Sequence, residues 1–185
     1  MQLERTGTTS YTGVVSLATA KSHLRVDHSD DDALITSLIK TAGEIVEEYT
    51  GVYLSSNSWV YHADYFKSVM RIHVGPEASV TSVKYMDDLG VKKTWASSNY
   101  FTDLKSYPIR IQFEHLPTSV DDRIHAIEIS GSAGYARVPE SLKSAMLLII
   151  GHLYEHRKDV LVGIQSAPLV HGAKYLMDKF KKGTL

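Results

Sequence analysis

At 185 residues the chain has room for one large domain or two small ones, and 43% hydrophobic with 22% charged residues is ordinary for a protein that buries a real core. A formal net charge of -1 argues against a broad nucleic-acid-binding surface, and the absence of cysteine removes disulfides, thiolate metal sites and cysteine nucleophiles together. The longest apolar run, Ala145 to Gly151, is far short of the roughly 20 residues that span a bilayer, and the polar opening MQLERTGTTSYTG lacks a signal-peptide core. The expectation is a soluble protein made in the cytoplasm, with no membrane contact.

Residues 1–15, with Gly7, Gly13 and a run of Thr and Ser, read as a flexible, irregular N-terminal arm. Ser16 suits the N-cap of a short helix to about Leu24, which sets Leu17, Ala20 and Leu24 on one side. Ser29-Asp30-Asp31-Asp32 then offers a capping-box pattern. The triple Asp suggests a cation site, but the further oxygen ligands and the Gly of a calcium loop do not follow, so capping is the better account. The helix it opens carries Leu34, Ile35, Leu38, Ile39, Ala42, Ile45, Val46 and Tyr49 on one stripe, and Gly51 can take the left-handed position that ends it. Glu44, Glu47 and Glu48 read as a solvated or inter-subunit face.

From about Ser55 to Ser130 the hydrophobic period changes from 3.6 to 2. Trp59, Tyr61, Ala63 and Tyr65 alternate with polar neighbours, as do Met70, Ile72 and Val74, then Ile109, Ile111 and Phe113, then Ile127 and Ile129. Each run reads as a strand with one buried face. Asp87-Asp88-Leu89-Gly90 is a hairpin turn in which Gly90 is free to take positive φ. Six or so short strands suggest a small antiparallel barrel or sandwich. Its aromatics suit core packing better than base stacking, which would need a basic groove. Three strand histidines, His62, His73 and His125, are candidates to meet at a metal, although exposed strand faces carry His routinely.

Gly131-Ser132-Ala133-Gly134-Tyr135 has a glycine pair without the Gly-Lys-Ser/Thr of a phosphate loop, and reads as the return to a helix over 138–158. That helix carries Leu142, Ala145, Met146, Ile149, Ile150 and Leu153 on one stripe, with Pro139 and Glu140 at its positive end and His156, Arg157 and Lys158 at its negative end. His152 and His156 are one turn apart, but Leu153 stands where a zinc hydrolase needs its Glu. Gly151 in a helix interior suggests that another backbone passes close by. DVLVGIQSAP follows, then a last helix from about Pro168 to Phe180 and a basic tail. The fold class is α+β: a small helical bundle of N- and C-terminal helices with an inserted antiparallel β barrel or sandwich. The boundaries fall at 16–54 and 135–185 for the helical parts and 55–134 for the insert.

Three stretches resemble the head–tail connector (head-completion, or adaptor) family of tailed bacteriophages, in its longer members with a β insertion. SLATAKSHLRVDHSDDDALITSLIKTAGEIVEEYTG is similar to the family's opening, and VPESLKSAMLLIIGHLYEHRKD to its closing helix. VKYMDDLGVKKTW, with Asn99-Tyr100-Phe101 and PIRI, is similar to the insertion; His156 departs from the Asn common there. The resemblance implies a virion protein without catalytic role, cofactor or metal, synthesised in the host bacterial cytoplasm. It implies a ring of twelve subunits beneath the portal protein, leading to a tail-side completion or tail protein, with double-stranded DNA passing through the channel.

A head-to-tail ring needs two complementary surfaces per subunit. Asp31, Glu44, Glu47 and Glu48 offer an acidic side, and Arg157 and Lys158 with the C-terminal lysines a basic one. Val160, Leu161, Val162, Ile164, Leu169, Val170 and Tyr175 offer a partner-binding element, towards the portal, in the last segment and helix; that segment could equally complete the subunit's own core. The other classes of reading are a metal-dependent hydrolase using the strand histidines with Asp64, Asp87 or Glu128, and a nucleic-acid-binding module on the β domain.

Overall fold

The computed structural model describes residues 2–156 and 171–182. The described residues divide into a β unit, formed by those up to Thr9 and from Ser56 to Ala136, and a helical unit, formed by Ser10–Ser55 and those from Arg137 onward.

The β unit has eight described strands, β1 (Gln2–Arg5), β2 (Asn57–Ala63), β3 (Val69–Ile72), β4 (Ser79–Met86), β5 (Lys92–Trp95), β6 (Tyr100–Asp103), β7 (Ile109–Phe113) and β8 (Ile127–Ala133). They form two antiparallel sheets, one ordered β1-β2-β8-β4-β5 and one ordered β3-β7-β6. The arrangement is sandwich-like, and the described strands close no barrel. Alternation buries Trp59 and Ala63, Met70 and Ile72, Ile109, Ile111 and Phe113, and Ile127 and Ile129, whereas Tyr61 is half-buried and Tyr65, expected on the same face, lies beyond β2 and is exposed. Phe66, between β2 and β3, sets its ring against Tyr85 of the first sheet (6.2 Å) and Phe113 of the second (5.0 Å).

The first fifteen residues differ from the irregular arm expected of them. Gln2–Arg5 add β1 to the edge of the first sheet, with Gln2 opposite His62 and Arg5 opposite Trp59. Beyond it the Thr6 N–H donates to the Ser58 carbonyl (3.0 Å), and Thr9 Oγ1 accepts from Arg5 Nη1 (2.7 Å) and from Asn57 Nδ2 (3.0 Å). A strand whose partner lies so far along the chain leaves little trace in local composition.

Gly131-Ser132-Ala133, read as a return loop, are the last residues of β8. Gly131 hides the alternation because it has no side chain to display, and it is glycine for want of space. It pairs with Trp59 on one side and Val80 on the other. A Cβ there would lie 1.9 Å from the Ser79 carbonyl oxygen and 2.6 Å from Trp59 Cζ2, beside a bulge between Val80 and Ser82.

The helical unit consists, among the described residues, of a 3-10 turn (Tyr11–Gly13) and helices α1 (Leu17–Leu24), α2 (Asp32–Thr50), α3 (Glu140–Glu155) and α4 (His171–Asp178). Ser16 Oγ accepts from the Thr19 N–H (3.1 Å), an ordinary N-cap, and Gly51 ends α2 with φ +70°. The expected stripes are buried: Ile35, Ile39, Ala42 and Val46 on α2, and Leu142, Ala145, Met146, Ile149 and Ile150 on α3. Gly151 faces a side chain, with His23 Nε2 3.5 Å from where its Cβ would be; this is ordinary contact, and no backbone passes there within 4 Å.

Gly131→Ala should lower the unfolding free energy by about 3 kcal/mol, the upper range for overpacking, because one of its two neighbours is backbone that has nowhere to go. A urea denaturation midpoint indistinguishable from the parent would show that β4 yields.

Candidate functional site

The surfaces proposed from sequence are sorted by the last two turns of α2. Tyr11 lies flat on Gly43, whose Cβ would come within 2.1 Å of the Tyr11 ring. The Tyr11 hydroxyl donates to Glu47 Oε2 (2.9 Å), and the Leu54 N–H donates to Glu47 Oε1 (2.7 Å). Glu47 is 7% exposed. It therefore leaves the acidic face, while Glu44 and Glu48 remain on it, in an exposed stripe with Thr36 and Lys40. Spacing alone put three acids together, and an aromatic from the N-terminal segment claimed one of them.

Asp31, unlike Glu47, is half-buried. It occupies the N-cap position of α2, yet its side chain makes no cap bond; its Oδ2 accepts from the Tyr154 hydroxyl near the end of α3 (2.5 Å). Asp32 is ion-paired with Lys21 of α1 (2.6 Å). The acidic cluster thus ties helices together, with Asp30 left projecting. Tyr154, the partner of Asp31, escaped the sequence reading because a Tyr at the rim of a helix carries no signal of where its hydroxyl goes.

Arg157, Lys158, Val160, Leu161, Val162, Ile164, Leu169 and Val170 lie outside the described residues. Tyr175 is described and is 81% exposed on α4. The rest of α4 belongs to the subunit. Ala173 and Met177 are fully buried, Lys179 Nζ donates to Ser141 Oγ of α3 (2.9 Å), and Tyr49 of α2 donates to Asp178 (2.5 Å), which raises the tyrosine's pKa. The Lys182 N–H donates to the Thr50 carbonyl (2.8 Å). A helix packed in this way is a wall of its own unit, with Tyr175 on its exposed side beside His171 and Lys174.

In the β unit the proposed catalytic set does not assemble. His62 and His125 lie ring to ring at 5.2 Å, and His73 stands edge-on to Tyr107. Asp64 accepts from the His125 N–H, and Glu128 is paired with Lys92. No three His, Asp or Glu side chains among the described residues are placed to hold one metal ion. His152 and His156 meet at 4.7 Å, edge to face.

Asp87, the last candidate acid, organises the β4–β5 turn. One oxygen accepts from the N–H groups of Leu89 (3.1 Å) and Val91 (2.7 Å), and the other meets Lys93 Nζ (2.6 Å). The Lys93 bond, then the backbone donors, hold its carboxyl below the usual range. Asp103 is treated alike by Arg110, whose Nε and Nη2 both donate to it, and is drawn down to about 2. Gly90 completes the turn at φ +75°, leaving Leu89 83% exposed at its tip.

With the geometry in place, the comparisons speak to kinship. Residues 14–85 match the phage gp6-like head-tail connector protein family. The connector match bears out the resemblance read from the sequence; it spans α1, α2, β2, β3 and most of β4, and stops short of the closing helix. The fold likeness takes in the whole chain. A chain in the virion of a native gene transfer agent (GTA) particle superposes with a TM-score of 0.78, one in the neck of an empty GTA particle computed with C6 symmetry with 0.77, and one in the neck of a native GTA particle computed with C12 symmetry with 0.72. Each is 22% identical, covering 100% of this chain and 97% of the other, which establishes a shared fold. No curated protein matches the sequence. Among the described residues no helix is long and apolar enough to cross a membrane.

The two sides of α4 should separate in mutation. Met177→Ala should destabilise the protein by about 2–3 kcal/mol, as buried methionines do, whereas Tyr175→Ala should stay within about 0.5 kcal/mol of the parent in the same denaturation measurement. For Asp87 and Asp103 the folded carboxyl is the stronger acid, so their contribution is complete above about pH 4, the unfolded value. It is lost as the pH falls through the folded values, near 2 for Asp103. Asp103→Asn should flatten the decline in stability between pH 4 and pH 2, measured by urea titration at each pH; an unchanged slope would rule this carboxylate out as a contributor.

Proposed function

We propose that the protein is a structural head–tail connector. Twelve copies form a ring at the head–tail junction of the virion, beneath the portal protein of a DNA-filled capsid, and hand over to a tail-side completion or tail protein. Double-stranded DNA passes through the channel, and the chain does no chemistry. Its copies are made in the host bacterial cytoplasm before assembly.

The observation that carries this reading is the conjunction of the connector-family match over residues 14–85 with an end-to-end likeness to chains of GTA particles, necks among them, one computed with C12 symmetry. The candidate acids favour it over a hydrolase, because Asp87, Glu128 and Asp64 are each committed to a neighbouring cation or backbone donor. Glu44 and Glu48 offer one polar contact surface and Tyr175 another. Exposed charge pairs are individually weak, so the portal is the template on which the ring closes.

The test is electron microscopy of the full chain mixed with its portal. Rings with twelvefold averages stacked on the portal are expected, and Tyr175→Ala should reduce the fraction of portals carrying a ring if that tyrosine faces the portal. Portals that remain bare at high chain concentration would remove the connector reading.

A further inference from the structure

The large hydrophobic side chains that stand more than half exposed in the described β unit are five, and they fall in two places. Leu89 (83%), Val91 (53%) and Ile124 (79%) form one group. The loop carrying Ile124 is fastened to the β4–β5 turn: the Met86 N–H donates to the Ala126 carbonyl (2.8 Å), the Asp121 N–H donates to the Met86 carbonyl (3.0 Å), and Arg123 lies against Gly90. Three aliphatic side chains therefore share one protruding tip. Asp87 is buried beneath it and Asp121 is taken by Arg123, so the tip's free charges are those of Asp88 and Asp122, which make no ion pair among the described residues.

Of the other two, Phe101 (65%) lines a trough, and Tyr65 (57%) lies under Lys67 at its rim. It consists of a cavity of about 290 Å³ that includes Phe101 and a second of about 230 Å³ floored by Tyr61 and Met70, with Val69 and Arg71 common to both. Arg110 in the first is neutralised by Asp103. The cations left over are Arg71, unpaired among the described residues, and Lys67, which rests only over the Tyr65 ring at 5.5 Å. The trough is thus concave, mixed in polarity in its first cavity and mainly apolar in its second, and rimmed by two positive charges.

We infer that the tip of one copy seats in the trough of the next, Leu89, Val91 and Ile124 on the Tyr61, Val69 and Met70 side and Asp88 and Asp122 against Lys67 and Arg71. Shape and charge are complementary, and the two surfaces lie on different sheets: the tip at the β4–β5 turn of the first, the trough chiefly on β3, β6 and β7 of the second. A convex patch and a different concave patch on one chain make a head-to-tail contact, the kind that closes into rings. The choice of a second copy as occupant rests on the connector reading, which sets identical subunits side by side.

The absence of cysteine makes the contact directly testable on the full chain. Leu89→Cys and Phe101→Cys, combined in one chain and treated at high protein concentration with a short bismaleimide, should give a ladder of covalent oligomers. Leu89→Cys combined with Ser144→Cys, an exposed position on α3, should give at most a trace. Adding Lys67→Glu and Arg71→Glu should cut the ladder about tenfold, since like charges would then face each other, and adding Asp88→Lys and Asp122→Lys to that background should restore it. Rescue guards against a variant that merely misfolds. Equal ladders from the two cysteine pairs, or failure of the charge swap to rescue, would overturn the contact. Microscopy of the same samples keeps the two readings apart: rings without the ladder refute the contact alone, a ladder without rings upholds the contact and refutes the ring, and neither refutes both.

Discussion

One buried carboxylate holds the helical unit's entry and exit together. Glu47 accepts a hydroxyl from Tyr11, ahead of α1, and an N–H from Leu54, just beyond α2. In a low-dielectric setting an unmatched carboxylate would be very costly, whereas two charge-assisted bonds make it a fastener. Gly43, one turn earlier, supplies the seat on which the Tyr11 ring must lie for its hydroxyl to reach. The next turn continues the same work: Thr50 folds its hydroxyl back onto the Val46 carbonyl (2.6 Å), and its own carbonyl receives the Lys182 N–H. Within eight residues α2 fixes the chain before it, the chain after it and a segment near the C-terminus.

What the sequence disclosed follows from the range of each interaction. Ser16 and Gly51 act on backbone within four residues, and both helix ends are where the sequence put them. The alternation around Ile109, Ile111 and Phe113 is a property of one strand against one core, and it too was legible. Glu47 was misread because its neighbours Glu44 and Glu48 are acids, although its spacing from Gly43, Val46 and Thr50 already placed it on the edge of the buried stripe. Asp31 was placed on an acidic face, and its partner is a tyrosine 123 residues away. β1 and Gly131 were missed because their meaning lies wholly in a partner strand. The candidate site was less legible than the fold, since no run of residues announces which side chains a folded chain will leave uncovered.

The outer face of the first sheet explains why contacts fall at the loops. Ser79 and Ser132 share a hydrogen bond across β4 and β8 (2.8 Å), and Ser82 and Ser130 another (2.9 Å). Hydroxyls paired across strands satisfy one another and offer a partner little. Lys92 with Glu128 quiets the neighbouring row. The face is polar, small and already bonded, so unspent apolar area and charge are confined to the turns and to the shorter sheet.

The pairing of β1 with β2 also sets a schedule for synthesis. Gln2 lies opposite His62, which is the sixtieth residue the ribosome adds after it. At roughly 5–20 residues per second, that leaves β1 without its neighbour for about 3–12 seconds. A lone strand in that interval is an invitation to other nascent chains. Its four residues, Gln-Leu-Glu-Arg, carry one hydrophobic side chain and two opposite charges, the composition that keeps a free edge from recruiting strangers. The polarity that hid the strand from a reading of the sequence is what lets it wait.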